Sequence, residues 1–197
     1  MFKPMAIALV HYPVLDRRGD VVTSAVTNLD VHDLARLATT YGLCRYYIVT
    51  PAAEQQLLTT RIVRHWQEGY GASYNPDRCR ALDCLQVIGS FEDALADWRA
   101  LNGEDGIAVL TGARHDRGID YPEAKQLAKQ QPVLLVFGTG HGLADELYKP
   151  ERPCLIPVRA GRYNHLSVRT AAAIILDRLL GDQGSVLSLP SIRHCSR

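Results

Sequence analysis

Short apolar runs alternate with longer amphipathic segments along most of this chain, and that alternation restricts the folds open to it. Residues 5–10, 46–49, 107–110, 133–137 and 153–158 are each strand-length and apolar. Between them lie segments with apolar residues at helical spacing: Val31, Leu34, Ala35, Ala38 and Tyr41, then Leu57, Leu58, Ile62, Val63 and Trp66. Strand runs without an apolar–polar alternation are buried on both faces. Helices interposed between them predict an α/β fold, a mostly parallel sheet with helices on both faces.

The punctuation supports this reading. Asn28 is placed to cap the first helix and Gly42 to stop it, while Pro51 opens the second, which runs to Gly69. Residues 70–79, rich in Gly, Ser, Asn and Pro, read as a loop, and 80–87 ends in strand-like residues. A helix is expected over 91–101 with Trp98 on its buried face, another from Pro122 to Lys129, and a last, strongly apolar one over 166–180. The polar stretch 14–28 is long for a connection in a compact domain, and loops of that length commonly carry function. The expected organisation is one domain over 1–181 and a tail over 182–197.

Composition narrows the function classes. With 22 Lys+Arg against 21 Asp+Glu, the net charge of +1 does not advertise nucleic-acid binding, although a local basic patch would escape such a total. The five cysteines are scattered, with no CxxC pair, which argues against a metal site and for reduced thiols. The first apolar run is too short to cross a membrane, and the chain reads as cytoplasmic.

The loops after the later strands carry the functional signal. "FGTGHGLADE" has no Lys-Ser/Thr after its glycines, so it is not a P-loop, and its glycine spacing is one residue short of the dinucleotide fingerprint. "LTGARHDRG" and "IPVRAGRYNHLSVRTAA" also follow strands, and in a parallel sheet all three emerge on the ligand-binding edge. Arg152, Arg159, Arg162 and Arg169 fall in or beside the last loop with no acid among them, an arrangement suited to phosphate. A tight turn at the glycines and a solvated edge at the arginines remain open as plainer readings.

The combination "FGTGHGLADE" and "PCLIPVRAGRYNHLSVRTAAAIILDRLL", with "HYPV" and the later "VTNLDVHD" near the start, resembles the SPOUT class of S-adenosylmethionine-dependent RNA methyltransferases. More closely, it resembles a small bacterial SPOUT-like family. The resemblance implies a C-terminal deep trefoil knot and a homodimer formed through the C-terminal helix. It also implies an RNA substrate, tRNA or rRNA, and S-adenosyl-L-methionine held by three loops. In this chain those loops supply Leu110, Thr111, Gly112 and Arg114; then Phe137, Gly138, Thr139, Gly140 and Gly142; then Ile156, Val158, Arg159, Tyr163, Asn164, His165, Leu166 and Ser167. The glycines are expected to make room for the cofactor. Candidate catalytic residues are Arg17 and Arg18 on the long early loop, with Asn28 and His32 in support. Other readings are a non-catalytic homodimeric regulatory protein that binds SAM or RNA, and a phosphate-ester or nucleotide-binding enzyme using the same edge.

Overall fold

A computed structural model describes residues 1–103, 106–115, 117–159 and 163–181. Six strands form one parallel sheet: β1 (Met5–Val10), β4 (Arg45–Val49), β5 (Leu85–Ile88), β6 (Ile107–Thr111), β7 (Val133–Gly138) and β8 (Cys154–Leu155). Their order across the sheet is β5-β4-β1-β7-β6-β8. A separate antiparallel ribbon, β2 (Val14–Leu15) with β3 (Val21–Val22), lies within the long early segment.

Alternation along the strands divides the core. Ile7, Leu9, Tyr46, Ile48, Val109, Leu135 and Phe137 face one layer, packed with α1 (Asn28–Thr40), α6 (Tyr121–Gln130) and α7 (Val168–Leu180). Ala6, Ala8, Val10, Tyr47, Leu110 and Leu134 face the other, filled by α5 (Phe91–Asn102) and the segment carrying Leu143 and Leu147. Trp98 lies fully buried there, as its helical spacing predicts. Both faces are therefore covered, as expected of parallel strands.

Local chemistry sets the helix ends. Thr27, not Asn28, caps α1: its hydroxyl accepts from Asp30 N, and Asn28 is the first helical residue. Helix α2 (Ala53–Gln67) begins two residues after Pro51. Asp120 and Glu123 form a reciprocal capping box on α6. Residues 70–79 are not a plain loop: α3 (Tyr70–Tyr74) and α4 (Pro76–Leu82) occupy most of them, with Asn75 capping α4 ahead of Pro76. No long helix follows the glycines after β7; the chain makes a 3-10 turn at Asp145–Leu147. The expected strand over 153–158 shortens to two residues.

Strand β8 stands at the sheet edge beyond β6, yet the helix that follows it packs against α1, α6 and β7. The last segment thus turns back towards the middle of the sheet. The resemblance places the knot at the glycine loop and the last strand-to-helix loop; residues 160–162 of the latter, like the tail 182–197, lie outside the described residues. No helix among the described residues is long and apolar enough to cross a membrane, and no His/Cys/Asp/Glu cluster among them could hold a metal ion.

Candidate functional site

Parallel pairing of β1, β7, β6 and β8 puts the segments after these strands on one edge of the sheet. The β2–β3 ribbon follows β1 and docks on the glycine loop by backbone bonds. Leu15 N donates to Gly142 O (2.9 Å), His141 N to Leu15 O (2.8 Å) and Ala144 N to Pro13 O (3.2 Å), with Val14 bridged to Leu143. This docking accounts for a glycine. Gly140 has φ +58°, and a Cβ there would lie 2.8 Å from Leu15 O. At Gly138 a Cβ would lie 2.6 Å from Leu143 N. The approach of the protein's own backbone is by itself enough to require glycine at these two positions. Gly142, at φ +109°, has open space where its Cβ would stand.

A buried polar chain ties the same loop from below. His11 is fully buried, its Nδ1 lies 2.9 Å from Ser24 Oγ, and Ser24 Oγ lies 2.5 Å from Thr139 Oγ1. Thr139 donates in turn to Val10 O (3.1 Å). Burial lowers the His11 pKa to about 4, against the opposing pull of Asp30 and a backbone bond to Ala25, so the ring is neutral at pH 7. The sequence offered His11 as the first residue of "HYPV" but gave it no role, and no motif pairs it with Ser24 or Thr139.

The loops after β6 and β8 meet at one carbonyl. Ala113 O accepts from Asn164 Nδ2 (3.0 Å) and from Arg159 (3.3 Å). The Arg114 guanidinium reaches across to His141 O on the glycine loop. Between these segments lies a cavity of about 80 Å³ lined by Leu15, Gly112–His115, His141–Leu143, Asp145 and Tyr148. The His115 and Tyr148 rings stand 3.8 Å apart, and a Cβ on Gly112 would lie 2.8 Å from the Tyr148 hydroxyl. Tyr148 and Leu15 were missed by the sequence reading because they follow no recognisable spacing.

The structure separates the expected cofactor residues into two groups. Leu110 and Phe137 are core side chains on opposite sheet faces. Thr111 is buried with its hydroxyl on Val136 O, and Ser167 caps α7 through Thr170 N. Gly112, Arg114, Gly140, Gly142, Arg159, Tyr163, Asn164, His165 and Leu166 lie at or near the surface of the edge, with Ile156 and Val158 half-buried below. Thr139 spans the two groups, half-exposed on the loop but bonded inward.

The arginine cluster dissolves in three dimensions. Arg152 is buried, donates to both Glu92 carboxylate oxygens (2.9 and 3.0 Å) and to Leu147 O, and covers the Phe91 ring. Arg169 pairs with buried Asp30 (2.9 Å) and with Asp33 (3.2 Å), joining α7 to α1. Arg162 lies outside the described residues. The acids missing from the local sequence thus come from Glu92, Asp30 and Asp33, and a phosphate site of all four arginines is not formed.

Among the catalytic candidates, Arg17 and Arg18 are exposed at the ribbon tip, where Asp16 accepts from the backbone of Arg18 (2.7 Å) and Asp20 (3.0 Å). Asn28 is exposed on the first turn of α1. His32 turns towards the helical layer, edge-on to Trp66 with ring centroids 5.5 Å apart. Burial, then the Arg78 charge, depress its pKa. The Cys84 and Cys154 thiols are pushed up to about 11 by burial and are poor nucleophiles.

Comparison with known proteins gives this edge a context. Residues 4–181 match a family described as SAM-dependent RNA methyltransferase. A protein of Oleidesulfovibrio alaskensis named tRNA (guanine-N(1)-)-methyltransferase is 43% identical over 176 residues, covering 89% of this chain but 41% of that protein. This chain therefore spans less than half the length of that curated relative. An uncharacterized protein of Aquifex aeolicus is 35% identical over 182 residues, which make up 88% of this chain and 86% of that one. A probable methyltransferase from Bordetella pertussis shares the fold at TM-score 0.61 and 18% identity, covering 91% of this chain and 96% of that chain. The SpoU methyltransferase AviRb from Streptomyces viridochromogenes, solved with AdoMet, does so at TM-score 0.58 and 15% identity, covering 92% and 58%.

Proposed function

The chain belongs to the SAM-dependent RNA methyltransferase family, and from that premise we propose that it transfers a methyl group from S-adenosyl-L-methionine to a nucleotide of tRNA or rRNA. The observation that carries the reading is the meeting of three strand-end loops, bonded to one another through Ala113 O and His141 O. Their exposed groups suit an adenosyl ligand: backbone carbonyls and amides, a half-buried Ile156 and Val158, and an open side at Gly142. Gly112, Arg114, Gly142, Arg159 and Asn164 would hold the cofactor, which supplies an electrophilic methyl on a sulfonium.

The protein's part is chiefly positioning. The cavity of about 80 Å³ is smaller than the roughly 300 Å³ of small-ligand pockets, so binding requires these loops to part. The bonds that open are those made by Arg114, Arg159 and Asn164, all between exposed partners. Arg17 and Arg18 stand on a ribbon bonded directly to the glycine loop, which suits them to orient an RNA phosphate beside the methyl donor. Asn28 stays a secondary candidate, whereas the proposal gives His32 no part in transfer because its ring packs on Trp66. A homodimer through α7, the knot and a cytoplasmic setting complete the reading. The return of α7 from the edge strand to β7 supports the knot.

Calorimetric titration with S-adenosylmethionine and S-adenosylhomocysteine tests the cofactor. Methyl-label transfer to total tRNA and to rRNA then tests the reaction, with Arg17→Ala and Arg18→Ala expected to lose transfer but keep cofactor binding. Absence of binding at millimolar ligand would reject the proposal. Binding without transfer to either RNA would favour the regulatory reading.

A further inference from the structure

The crossover from β4 to β5 is more elaborate than its neighbours. Helices α5 and α6 each make theirs alone, whereas here α2 is followed by α3 and α4 before the chain re-enters the sheet at Leu85. Two glycines fold this lobe. A Cβ on Gly69 would lie 2.7 Å from His65 O, and one on Gly71 2.7 Å from Trp66 Cε3, so α3 closes directly on the end of α2. Five residues cannot hold a helix unaided, and large apolar side chains in such a turn would ordinarily be spent on packing. Here they are not. Tyr70 and Tyr74 are 75% and 70% exposed, one turn apart, with rings stacked at 5.8 Å and 28°.

Cations accompany these rings. The exposed side of α2 carries Arg61, Arg64 and His65 with no acid from 55 to 67, while the exposed acids nearest the rings in sequence are Glu68 and, on α4, Asp77. On α4, Arg78 lies over the Trp66 ring at 4.4 Å, its Nε buried with no hydrogen-bond partner, and Arg80 is exposed. Paired exposed aromatics with flanking arginines match the means by which single strands are held: bases stack on rings and phosphates meet guanidinium groups. We propose that the α2–α3–α4 lobe is a contact surface for unpaired RNA, with Tyr70 and Tyr74 stacking on bases and Arg61 and Arg64 facing the phosphates beside them.

The choice of RNA rests on the function proposed above, but the surface is separate from the cofactor edge. Helix α2 leaves that edge after β4 and runs 15 residues, about 22 Å, before α3 begins. An RNA that engages both sites therefore extends well beyond its target nucleotide, and a short strand fills the lobe alone.

The test is fluorescence anisotropy of the full chain with a labelled 12-nucleotide oligouridine and, separately, with total tRNA. Tyr70→Ala/Tyr74→Ala is expected to weaken both by roughly tenfold or more. Tyr70→Leu/Tyr74→Leu, which keeps apolar bulk without a π-face, is expected to lose nearly as much, and Tyr70→Phe/Tyr74→Phe to bind as wild type. Arg61→Gln/Arg64→Gln should lower the salt dependence of binding by roughly one to two ions. Calorimetric affinity for S-adenosylmethionine should be unchanged in every variant. Should the wild type bind oligouridine through the tyrosines but not the cofactor, the lobe stands and the methyltransferase reading falls. Unchanged RNA affinity in both the Ala and Leu pairs overturns the proposal, as does a change of oligomeric state in those pairs with RNA binding intact.

Discussion

Replacing Gly140 with alanine isolates what the ribbon contributes. At φ +58°, an L-residue costs roughly 1–2 kcal/mol. The new methyl would also press on Leu15 O from 2.8 Å, and that carbonyl already accepts from His141 N. Moving it endangers this bond and its neighbour from Leu15 N to Gly142 O, each worth about 1 kcal/mol net. The sum, about 3 to 4 kcal/mol, is set against ribbon docking and not against the sheet, because β1 and β7 keep their own ladder. Each 1.4 kcal/mol is a factor of ten, so ribbon opening should rise by about two to three orders of magnitude. Hydrogen exchange read at the Leu15 and His141 amides measures it directly. Both should lose protection by about 100- to 1,000-fold while amides within β1 and β7 keep theirs. Wild-type protection at both amides, or loss spread evenly over the sheet, would refute the reasoning.

Three other outcomes follow from the same geometry. Arg169→Met leaves the buried Asp30 carboxylate with the Thr27 hydroxyl and no cation, and should lower urea stability by about 2–3 kcal/mol; Asp30→Asn in the same chain should recover part of it, and an unchanged midpoint would show the pair to be idle. The His11 pKa of about 4 lies below its unfolded value of 6.5, so the unfolded chain takes up this proton first. Stability from the neutral ring is complete above pH 6.5 and is lost as pH falls towards 4, by roughly 2 kcal/mol at pH 5. Urea midpoints at pH 7 and pH 5 should differ less in His11→Gln by that amount, and equal differences would contradict the assignment. Asn164→Ala removes one bond holding the loops together through Ala113 O, and stopped-flow association with S-adenosylmethionine should quicken severalfold if the loops gate the cavity; an unaltered rate would remove Asn164 from any gate.

Periodicity made the layered α/β architecture legible, since buried parallel strands and amphipathic helices leave opposite spacings in a chain. It also located the loops, because Gly138–Gly142 breaks an apolar run abruptly. It did not reveal what those glycines accommodate: Leu15, which stands against Gly140, belongs to a ribbon too short to announce itself. Residues 70–79 misled for a related reason. Their Gly, Asn and Pro are turn formers by composition, but here Gly69 and Gly71 permit close packing while Asn75 and Pro76 start a helix. Charge was legible only locally. Arg152 and Arg169 looked free because Glu92, Asp30 and Asp33 are distant in sequence. The cofactor, RNA and family came from motif resemblance and not from spacing.

The position of β1 at the middle of the sheet carries a consequence for synthesis. Its partner on one side, β4, is complete by residue 49, but its partner on the other, β7, begins only at Val133. While the ribosome makes the intervening residues, Ala6, Ala8 and Val10 belong to an apolar strand with one unpaired flank, the kind of edge that recruits other chains. Pairing of such sequence-distant strands is also intrinsically slow. Nascent chains arrested just short of Val133 should therefore need a chaperone to stay soluble, and that need should end only once Gly138 has cleared the ribosome and β7 can pair with β1.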